Sequence, residues 1–415
     1  MQLPEEFLRE TRSVLGPERF ECYLKAFEEE PPVSIRLNPL LVHGRAWCAE
    51  HSVAVPWCPA GFYLDRRPQF TFDPLLHAGC YYVQEASSMF LDEVLRQHLP
   101  DGPVAFLDMC AAPGGKSTLI RSALGADSLL VSNEPVRKRA QVLSENICKW
   151  GYDQCYVTNN YPKDFSRAGM QFDAILCDVP CSGEGMFRKD EATIAEWSLQ
   201  HVEHCWQLQR EIVADAWECL NEGGLFIYST CTFNTKENEE NVRWMLSQFD
   251  AQVLPIETRP EWNITGSLLD GFIEPVYRFI PGITRSEGLF MCVLRKGKTL
   301  QTLPRPLPVR EGSVCSRLAK QIPGLITPLP YREGLGESLS LSYQQAIAFL
   351  RREALVLPSD APRGIVEVCF MGQPLGMVKN LGTRANNLYP KEWRIKSTYV
   401  PSDYEPIVVP MSEKI

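Results

Sequence analysis

Short apolar runs and amphipathic helical stretches alternate through the middle of the chain. Apolar segments that end in polar or glycine-bearing turns predict strands at residues 104–110, 129–134, 155–159, 172–178 and 225–230. Between them, apolar positions at helical spacing predict helices at residues 116–124, 137–150 and 200–221. Alternating strands and helices of this length predict an α/β domain with a doubly wound, mostly parallel sheet.

The segments on either side of this alternation have other patterns. Residues 4–27 predict two amphipathic helices, and the alternating run from Val33 to Asn38 predicts a strand. Proline-rich text from Leu303 to Pro330 indicates a linker, and strand-like runs with glycine and asparagine turns follow from Gly364. We divide the chain into an N-terminal α+β region (1–75), a central domain (76–298), a linker with a helical segment (299–360) and a β-rich C-terminal module (361–415).

Composition narrows the class of protein. No run of 18 apolar residues is present, and the first residues have neither a basic nor an apolar leader pattern, so we expect neither a membrane span nor a signal peptide. The 15 cysteines are scattered without a Cys-x-x-Cys pair, which favours free thiols over disulfides or a metal site. These features predict a cytoplasmic protein. The net charge of −9 leaves RNA binding open, because charge on one surface decides it.

The C-terminal module carries a local basic excess. Between Arg363 and Tyr399 there are six Lys or Arg residues against two Glu. Tyr389, Trp393 and Tyr399 lie among them. Basic residues interleaved with aromatic ones favour phosphate contacts combined with base stacking.

The most informative local motif follows the first central strand and reads Cys110-Ala-Ala-Pro-Gly-Gly-Lys116. A strand, a glycine turn and a helix let the backbone approach a nucleotide-like ligand closely. A phosphate-binding P-loop requires glycine five residues before Gly115, where Cys110 stands, and the pattern G-x-G-x-x-G is absent. The loop therefore predicts a nucleoside site of another kind.

Polar residues gather at the predicted carboxyl ends of the strands, where ligands bind in such sheets. Glu134 ends the second strand about twenty residues after the glycine loop, a position from which a carboxylate accepts hydrogen bonds from ribose hydroxyls. The alternative for Glu134 is a surface glutamate that caps the following helix. Asp108, before the loop, suits the structural role of holding loop N–H groups. Asn160 and Asp178 end the third and fourth strands.

Two cysteines also stand at neighbouring strand ends. Cys181 lies in the turn Asp178-Val-Pro-Cys-Ser-Gly-Glu-Gly185, and Cys231 lies in Ser229-Thr-Cys-Thr-Phe233. A cysteine in such a place is a candidate nucleophile, because the thiolate is reactive even when little of it is ionised. The alternative is a small buried hydrophobic residue. We expect function for these two cysteines and packing for the other thirteen.

Together these motifs resemble those of the S-adenosylmethionine-dependent RNA 5-cytosine methyltransferases of the Nol1/Nop2/Sun family. The resemblance is closest to the bacterial type that acts on 16S ribosomal RNA. It covers nearly the whole chain and includes Gly372–Gly376 and the stretch Asn387-Leu-Tyr-Pro-Lys-Glu-Trp-Arg394. It implies a Rossmann-like class I methyltransferase fold with an N-terminal RNA-recognition region. It also implies a C-terminal module like the PUA (pseudouridine synthase and archaeosine transglycosylase) domains.

The resemblance also implies roles for the motif residues. Cys231 is the implied nucleophile, and Cys181 is implied to assist product release. Asn160 is the candidate where the family often has an adenine-contacting aspartate. RNA, as 16S ribosomal RNA or the small ribosomal subunit, is the implied partner, and no metal is expected. The implied S-adenosylmethionine contacts are Cys110, Ala111, Ala112, Pro113, Gly114, Gly115, Lys116, Glu134 and Asp178.

The chemistry of cytosine fits these residues. Carbon 5 is a poor nucleophile, and addition of a thiolate at carbon 6 turns the ring into an enamine that accepts a methyl group. The adduct then loses the carbon 5 proton and expels the thiol, so a second group near the base is useful. The target base must be unstacked, which costs a few kcal/mol that the pocket and flanking RNA contacts offset. Asp178 suits either the base edge or the cofactor.

Other functions stay open at this point. Within the same chemistry, the substrate is 16S ribosomal RNA, or else transfer RNA or another RNA. A DNA cytosine methyltransferase would place its nucleophile in the Pro180-Cys181 turn, and Thr230-Cys231 argues against it. A non-catalytic ribosome assembly factor is disfavoured by the presence of both cysteines and of the complete glycine loop.

Overall fold

The computed structural model describes residues 3–42, 52–298, 325–326, 338–397, 399 and 401–408. Most of the linker predicted at 303–330 lies outside these residues. The N-terminal elements are α1 (Glu5–Lys25), β1 (Val33–Leu37), β2 (Val53–Ala54), β3 (Gly61–Leu64), α2 (Pro74–His77) and β4 (Tyr81–Val83). Helix α1 bends at Gly16, whose φ of 75° and ψ of 166° interrupt the helix before Pro17, and this gives the two predicted helical segments.

The first sheet has the strand order β2-β3-β1-β4, with antiparallel pairs. Because β4 pairs with β1, the sheet continues past residue 75, where we placed the end of the N-terminal region. The sequence pattern did not reveal this, since a three-residue strand is too short for alternation to register.

The central domain follows. Its helices are α3 (Phe90–His98), α4 (Gly115–Ala123), α5 (Arg137–Trp150), α6 (Pro162–Arg167), α7 (Glu191–Glu196), α8 (Leu199–Glu218) and α9 (Glu239–Gln248). Its strands are β5 (Ala105–Asp108), β6 (Leu129–Asn133), β7 (Cys155–Thr158), β8 (Phe172–Asp178), β9 (Leu220–Thr230), β10 (Ala251–Val253), β11 (Tyr277–Phe279), β12 (Leu289–Lys296) and β13 (Leu325–Ile326). The five strands and three helices predicted from the pattern are all present. Helices α6, α7 and α9 were not predicted. Of these, α6 and α7 have only six residues each, too few to show a helical period.

The central sheet runs β10-β12-β9-β8-β5-β6-β7-β13 in the described part of the chain, and β11 pairs with β12. Strands β7, β6, β5, β8 and β9 are parallel, and β12 adds antiparallel to β9. The order reverses at β5, from which the chain proceeds to β6 and β7 on one side and then returns to β8 and β9 on the other. Ligands bind in the crevice outside the carboxyl ends of strands at such a reversal.

Apolar clusters cover both faces of this sheet, which explains why its strands read as continuous apolar runs. On one face, Leu119 of α4 and Ile147 of α5 pack against the strands. On the other face, Val213 of α8 and Met245 of α9 do so. The doubly wound arrangement predicted from the sequence is therefore present, and it aligns the turns after β5, β8 and β9 along one edge.

The C-terminal module contains β14 (Ser338–Ser340), α10 (Tyr343–Leu350), β15 (Gly364–Phe370), β16 (Gln373–Asn380) and β17 (Ala385–Asn387). Its strands lie in the order β14-β15-β16-β17. Because β14 pairs with β15, the boundary predicted at residues 360/361 falls inside this sheet. Phe349 and Val368 share an apolar core with Ile35 and Phe62 of the first sheet, so the two terminal regions pack together.

Two of the three aromatic side chains expected to stack on RNA lie in or against this core. Tyr389 is 1% exposed and packs on Phe349 at a ring-centroid distance of 5.3 Å. Trp393 is partly buried against the same cluster. Tyr399 is 59% exposed. The stacking prediction is therefore wrong for Tyr389, because a folded module needs aromatic volume in its own core.

Candidate active site

The glycine loop joins β5 to α4 at the reversal of strand order. Gly114 has a φ of 114°, a left-handed conformation that a residue without Cβ adopts readily. A Cβ at this position would also stand 3.2 Å from Cδ1 of Leu143. The Ala111 N–H donates to the carbonyl of Asn133 (2.8 Å), which ties the loop to the end of β6.

Asn133 joins the ends of three strands, although the sequence suggested no role for it. Its Nδ2 donates to the carbonyls of Met109 (3.1 Å) and Asn160 (3.0 Å). Its Oδ1 accepts from the Thr158 hydroxyl (2.9 Å) and from the Asn160 N–H (3.1 Å). Asn160 is thereby fixed with its side chain buried, and its Nδ2 has no partner among the described residues. An unused donor of this kind suits a ring nitrogen of a bound base.

Glu134 is 1% exposed at the end of β6. Its Oε1 accepts from the Val136 N–H (2.9 Å), and its Oε2 lies 3.5 Å from Nη1 of Arg139. The alternative of a surface glutamate is wrong on burial, although the carboxylate does bind the Val136 N–H in the turn before α5. The ribose role stays a prediction.

Asp108 is fully buried beneath the loop. Its Oδ2 accepts from the Ser117 hydroxyl (2.6 Å), so it holds the first turn of α4 through a side chain, and not through the expected loop N–H groups. Its Oδ1 has no partner in the described part of the chain. Burial raises the pKa of Asp108 to about 7.

Lys116 and Asp178 form an ion pair between the loop and the end of β8, with Nζ and Oδ2 2.8 Å apart. The Ser229 hydroxyl donates to Asp178 Oδ1 (2.6 Å), which links β9 to the same carboxylate. Burial by itself lowers the pKa of Lys116, but the charges of Asp178 and of a Cys231 thiolate raise it above its ordinary value. The ammonium therefore stays charged beside the second cysteine turn.

The structure brings the two candidate cysteines together. The sulfur atoms of Cys181 and Cys231 lie 3.1 Å apart, and the Cys231 N–H donates to Cys181 Sγ (3.3 Å). The hydrogen bond to Cys231 and, second, burial raise the pKa of Cys181 well above its ordinary value. At this separation either thiol can donate its S–H to the other sulfur atom.

Two buried carboxylates beside these thiols had no role in the sequence analysis. Glu184 lies in the Cys181 turn and Glu237 in the Cys231 turn, and both make several hydrogen bonds across the gap. An acidic residue between glycines, as in Gly183-Glu184-Gly185, was the available signal.

Arg36 of β1 also reaches the glycine loop, for which the sequence held no signal. It donates to the Thr118 hydroxyl (2.6 Å) and the Gly115 carbonyl (3.3 Å), and its Nε donates to Gln84 (2.7 Å). Its guanidinium lies 4.5 Å from the ring centroid of Trp150. The N-terminal region therefore supports the loop directly.

Two other kinds of feature are absent from the described ranges. No group of three or more His, Cys, Asp or Glu side chains there is arranged to hold a metal ion. No helix in those ranges combines the length and apolar character needed to cross a bilayer.

Comparison with known proteins decides the family. Family models match in three consecutive segments: the N-terminal domain of 16S rRNA methyltransferase RsmF (residues 3–86), 16S rRNA methyltransferase RsmB/F (97–295) and the methyltransferase RsmF PUA domain (337–395). The ribosomal RNA small subunit methyltransferase F of Enterobacter sp. (strain 638) is 33% identical, over 94% of this chain and 95% of its own length. The chain belongs to the ribosomal RNA small subunit methyltransferase F family.

Other members of this methyltransferase F family are similar over the same extent. The Cronobacter sakazakii protein is 29% identical over 94% of this chain and 96% of its own length.

Among solved structures, a methyltransferase homolog from Pyrococcus horikoshii has a TM-score of 0.57 at 26% identity, over 71% of this chain and all of that one. NSun6 from Pyrococcus horikoshii with SFG has a TM-score of 0.58 at 20% identity, over 71% and 99%, and shows the fold alone.

Membership of the methyltransferase F family confirms the resemblance read from the sequence. The Rossmann-like methyltransferase fold and the PUA-like C-terminal module are confirmed as well. The PUA match begins at residue 337, which agrees with β14 being the first strand of that module. The roles of the individual site residues are not decided by these comparisons.

Proposed function

We propose that this methyltransferase transfers a methyl group from S-adenosylmethionine to carbon 5 of a cytosine in 16S ribosomal RNA. The observation that carries the proposal is the pair of thiols, Cys181 and Cys231, 3.1 Å apart at neighbouring strand ends beside the glycine loop. Two sulfur atoms suit a reaction that needs both an attacking group and a second group at the same base. The cytoplasmic location expected from the sequence stays a prediction.

The residues around the loop fit an adenosine-containing cofactor. Gly114 provides close backbone approach, and the unpartnered Nδ2 of Asn160 is a donor for the adenine ring. Glu134 is placed to accept from ribose hydroxyls in exchange for its contact with Arg139. The loop from Cys110 to Lys116 would hold the remainder of the cofactor, together with Asp178, which pairs with Lys116. S-adenosylmethionine, when bound there, supplies an electrophilic methyl group.

The thiols divide the work on the base. The Cys231 thiolate forms a bond to carbon 6, and the electrons of the carbon 5–carbon 6 double bond make carbon 5 nucleophilic. After methylation, a base accepts the carbon 5 proton, and the electrons of that carbon–hydrogen bond re-form the double bond. The carbon–sulfur bond breaks, and its electron pair leaves with the Cys231 sulfur as a thiolate. We assign assistance in this elimination to Cys181. The Cys181 sulfur lies 3.1 Å from the Cys231 sulfur, close enough to act on the bond that breaks in this step.

Base mapping tests the proposal directly. The purified protein is incubated with S-adenosylmethionine and transcribed 16S ribosomal RNA or small subunits, and products are examined for 5-methylcytosine. One methylated cytosine in ribosomal RNA is expected. Methylation of transfer RNA instead would move the substrate to the alternative class. Methylation of DNA alone would overturn the RNA assignment, and failure to bind S-adenosylmethionine would support a non-catalytic assembly factor.

Glu134→Ala is expected to weaken S-adenosylmethionine binding by ~1–3 kcal/mol, because ribose hydroxyls lose a buried acceptor. The measurement is calorimetric titration with the cofactor. Glu134→Gln is the matched control for the structural contact, since one amide oxygen still accepts from the Val136 N–H. Gln should weaken binding less than Ala. Unchanged affinity in both variants would remove Glu134 from the cofactor site.

A concave basic surface on the C-terminal module is a candidate for contact with the RNA backbone. Its cavity of about 390 Å³ is lined by four basic residues, Arg351, Arg352, Lys391 and Arg394. Of these, Arg351 pairs with Glu353 (2.9 Å). Such a concentration of positive charge stands out in a chain with a net charge of −9.

The double variant Lys391→Gln with Arg394→Gln is expected to weaken RNA binding and to lower its salt dependence. Each lost phosphate contact should reduce the slope of log affinity against log salt by roughly 0.7 to 0.9. The control is Arg363→Gln with Lys379→Gln, which removes two exposed charges outside this surface. Equal slopes in both double variants would show that this surface does not contact RNA.

A further inference from the structure

The two cysteine turns are joined by side chains as well as by the sheet. Direct ties are few: the Gly185 N–H donates to the Cys231 carbonyl (2.8 Å), and the hydroxyls of Ser182 and Thr232 lie 2.8 Å apart. The Cys231 N–H also donates to Cys181 Sγ (3.3 Å), and Asn234 Nδ2 to the Ser182 hydroxyl (3.4 Å). Further bonds across the gap end on Glu184 and Glu237, whose carboxylates are buried.

Glu184 belongs to the Cys181 turn but binds the Cys231 turn. Its Oε2 accepts from the N–H groups of Phe233 (2.7 Å) and Asn234 (3.0 Å). Its Oε1 accepts from Asn234 Nδ2 (3.1 Å) and from the indole N–H of Trp197 (3.0 Å). All four donors are N–H groups, so both side-chain atoms at these positions must be hydrogen-bond acceptors.

Glu237 belongs to the Cys231 turn but binds the Cys181 turn. Its Oε2 accepts from the Ser182 N–H (3.0 Å) and from Gln209 Nε2 (2.7 Å), and its Oε1 accepts from Asn234 Nδ2 (2.8 Å). Gln209 Nε2 also donates to the Pro180 carbonyl, so Glu237 holds both residues that flank Cys181.

Burying two carboxylates costs free energy that a purely structural contact could avoid by using neutral side chains. Both side chains are buried, and neither has a Lys or Arg ion-pair partner among the described residues. Burial and, second, the charge of Glu184 raise the pKa of Glu237 to about 7. Backbone N–H groups of the opposite turn offset this cost, which makes each carboxylate dependent on the turn that it holds.

We propose that Glu184 and Glu237 are positioning residues that form a reciprocal clamp and hold the Cys181 and Cys231 sulfur atoms at the separation that the reaction needs. The catalytic role of this clamp rests on the proposed function, but the clamp geometry can be tested without it. A shift of about 1 Å at a reacting group lowers rates by about a hundredfold. Replacing either glutamate with glutamine changes one carboxylate oxygen into an NH2 group. That group faces N–H donors, so it cannot accept their hydrogen bonds, and the two turns move apart.

The test uses the full chain with Glu184→Gln and Glu237→Gln, and with Glu239→Gln as the matched control. Glu239 is also buried and follows the same turn, but it pairs with Arg278 (2.7 Å) and not with the cysteine turns. The probe is transcribed 16S ribosomal RNA containing 5-fluorocytidine, supplied together with S-adenosylmethionine. After methyl transfer, carbon 5 carries fluorine in place of the proton, so elimination is blocked and the adduct is trapped. The final amount of adduct counts active sites, and its rate of appearance per active site reports alignment.

Both clamp variants should form the adduct at least about tenfold more slowly per active site, with the cofactor Kd within twofold of wild type. Glu239→Gln should keep the wild-type rate per active site even if fewer molecules are folded. A lower count of active sites with an unchanged rate in the clamp variants would overturn the proposal, because a structural role alone predicts that result.

A second measurement reads the geometry without catalysis. Diamide removes two hydrogens from a pair of adjacent thiols to form a disulfide, and peptide mapping quantifies the Cys181–Cys231 pair. This disulfide should form at least about fivefold more slowly in the clamp variants than in Glu239→Gln and wild type, because the reaction requires sulfur contact. If wild type forms no RNA adduct but this difference is present, the proposed function fails and the clamp stands as geometry. Equal rates of disulfide formation overturn the clamp.

Discussion

Cys231→Ala is expected to abolish methylation and to leave no covalent complex with RNA, whereas Cys181→Ala is expected to accumulate a stable protein–RNA adduct. The two variants remove similar thiols 3.1 Å apart, so a general disturbance of the site would affect them alike. The difference follows from their order in the reaction. Without Cys231 no bond to carbon 6 forms, and without Cys181 the bond forms but its elimination stalls.

The measurement is denaturing electrophoresis after incubation with RNA and S-adenosylmethionine, with the mass of the adduct determined. Folding is checked first by thermal unfolding and cofactor binding. An adduct from Cys231→Ala and none from Cys181→Ala would reverse the roles and restore the arrangement of a DNA-type enzyme. Full activity in both variants would eliminate covalent catalysis.

Gly185→Ala should lower methylation by about a hundredfold and destabilise the fold by ~1–3 kcal/mol, because added volume in a packed site displaces the backbone. A Cβ on Gly185 would lie 2.6 Å from Cα of Gly288 and 2.8 Å from the Cys231 carbonyl oxygen. Both neighbours are backbone atoms, which cannot rotate away as a side chain would. The Cys181 turn must therefore move away from the Cys231 turn.

The control is Gly266→Ala, which has no atom within 4 Å of an added Cβ. It should leave activity and the free energy of unfolding close to those of wild type. Rates of methylation and denaturant unfolding are measured for both variants. A Gly185→Ala protein as active as Gly266→Ala would show that the contact between Gly185 and Gly288 does not set the geometry of the thiols.

Much of the central domain was predictable because its strands are covered on both faces. A parallel strand between two helical layers reads as a continuous apolar run, and the five strands that we predicted have that character. The meeting of Cys181 and Cys231 was also within reach. Parallel neighbours end at the same edge of a sheet, and the sequence already placed one cysteine after each of two strands.

Predictions were weaker where the same type of side chain can serve either the fold or the binding of a ligand. The sequence suggested RNA stacking for Tyr389, yet 1% exposure places it in the core of its module. Glu134 was given a ribose role, and its carboxylate also accepts from the Val136 N–H. Residue type and spacing do not separate such uses, because both need the same chemical group.

Local patterns in the sequence were enough to predict five parallel strands with three of their helices, the sheet class, the glycine loop and the two cysteines. Only the tertiary structure decided which distant groups meet: Arg36 with the Gly115 carbonyl, Asn133 with Asn160, and each clamp carboxylate with the opposite turn. A buried polar group must find a partner, but its identity depends on how helices and strands pack, not on neighbours in the chain. Sequence patterns report local periodicity, and these contacts join residues tens of positions apart.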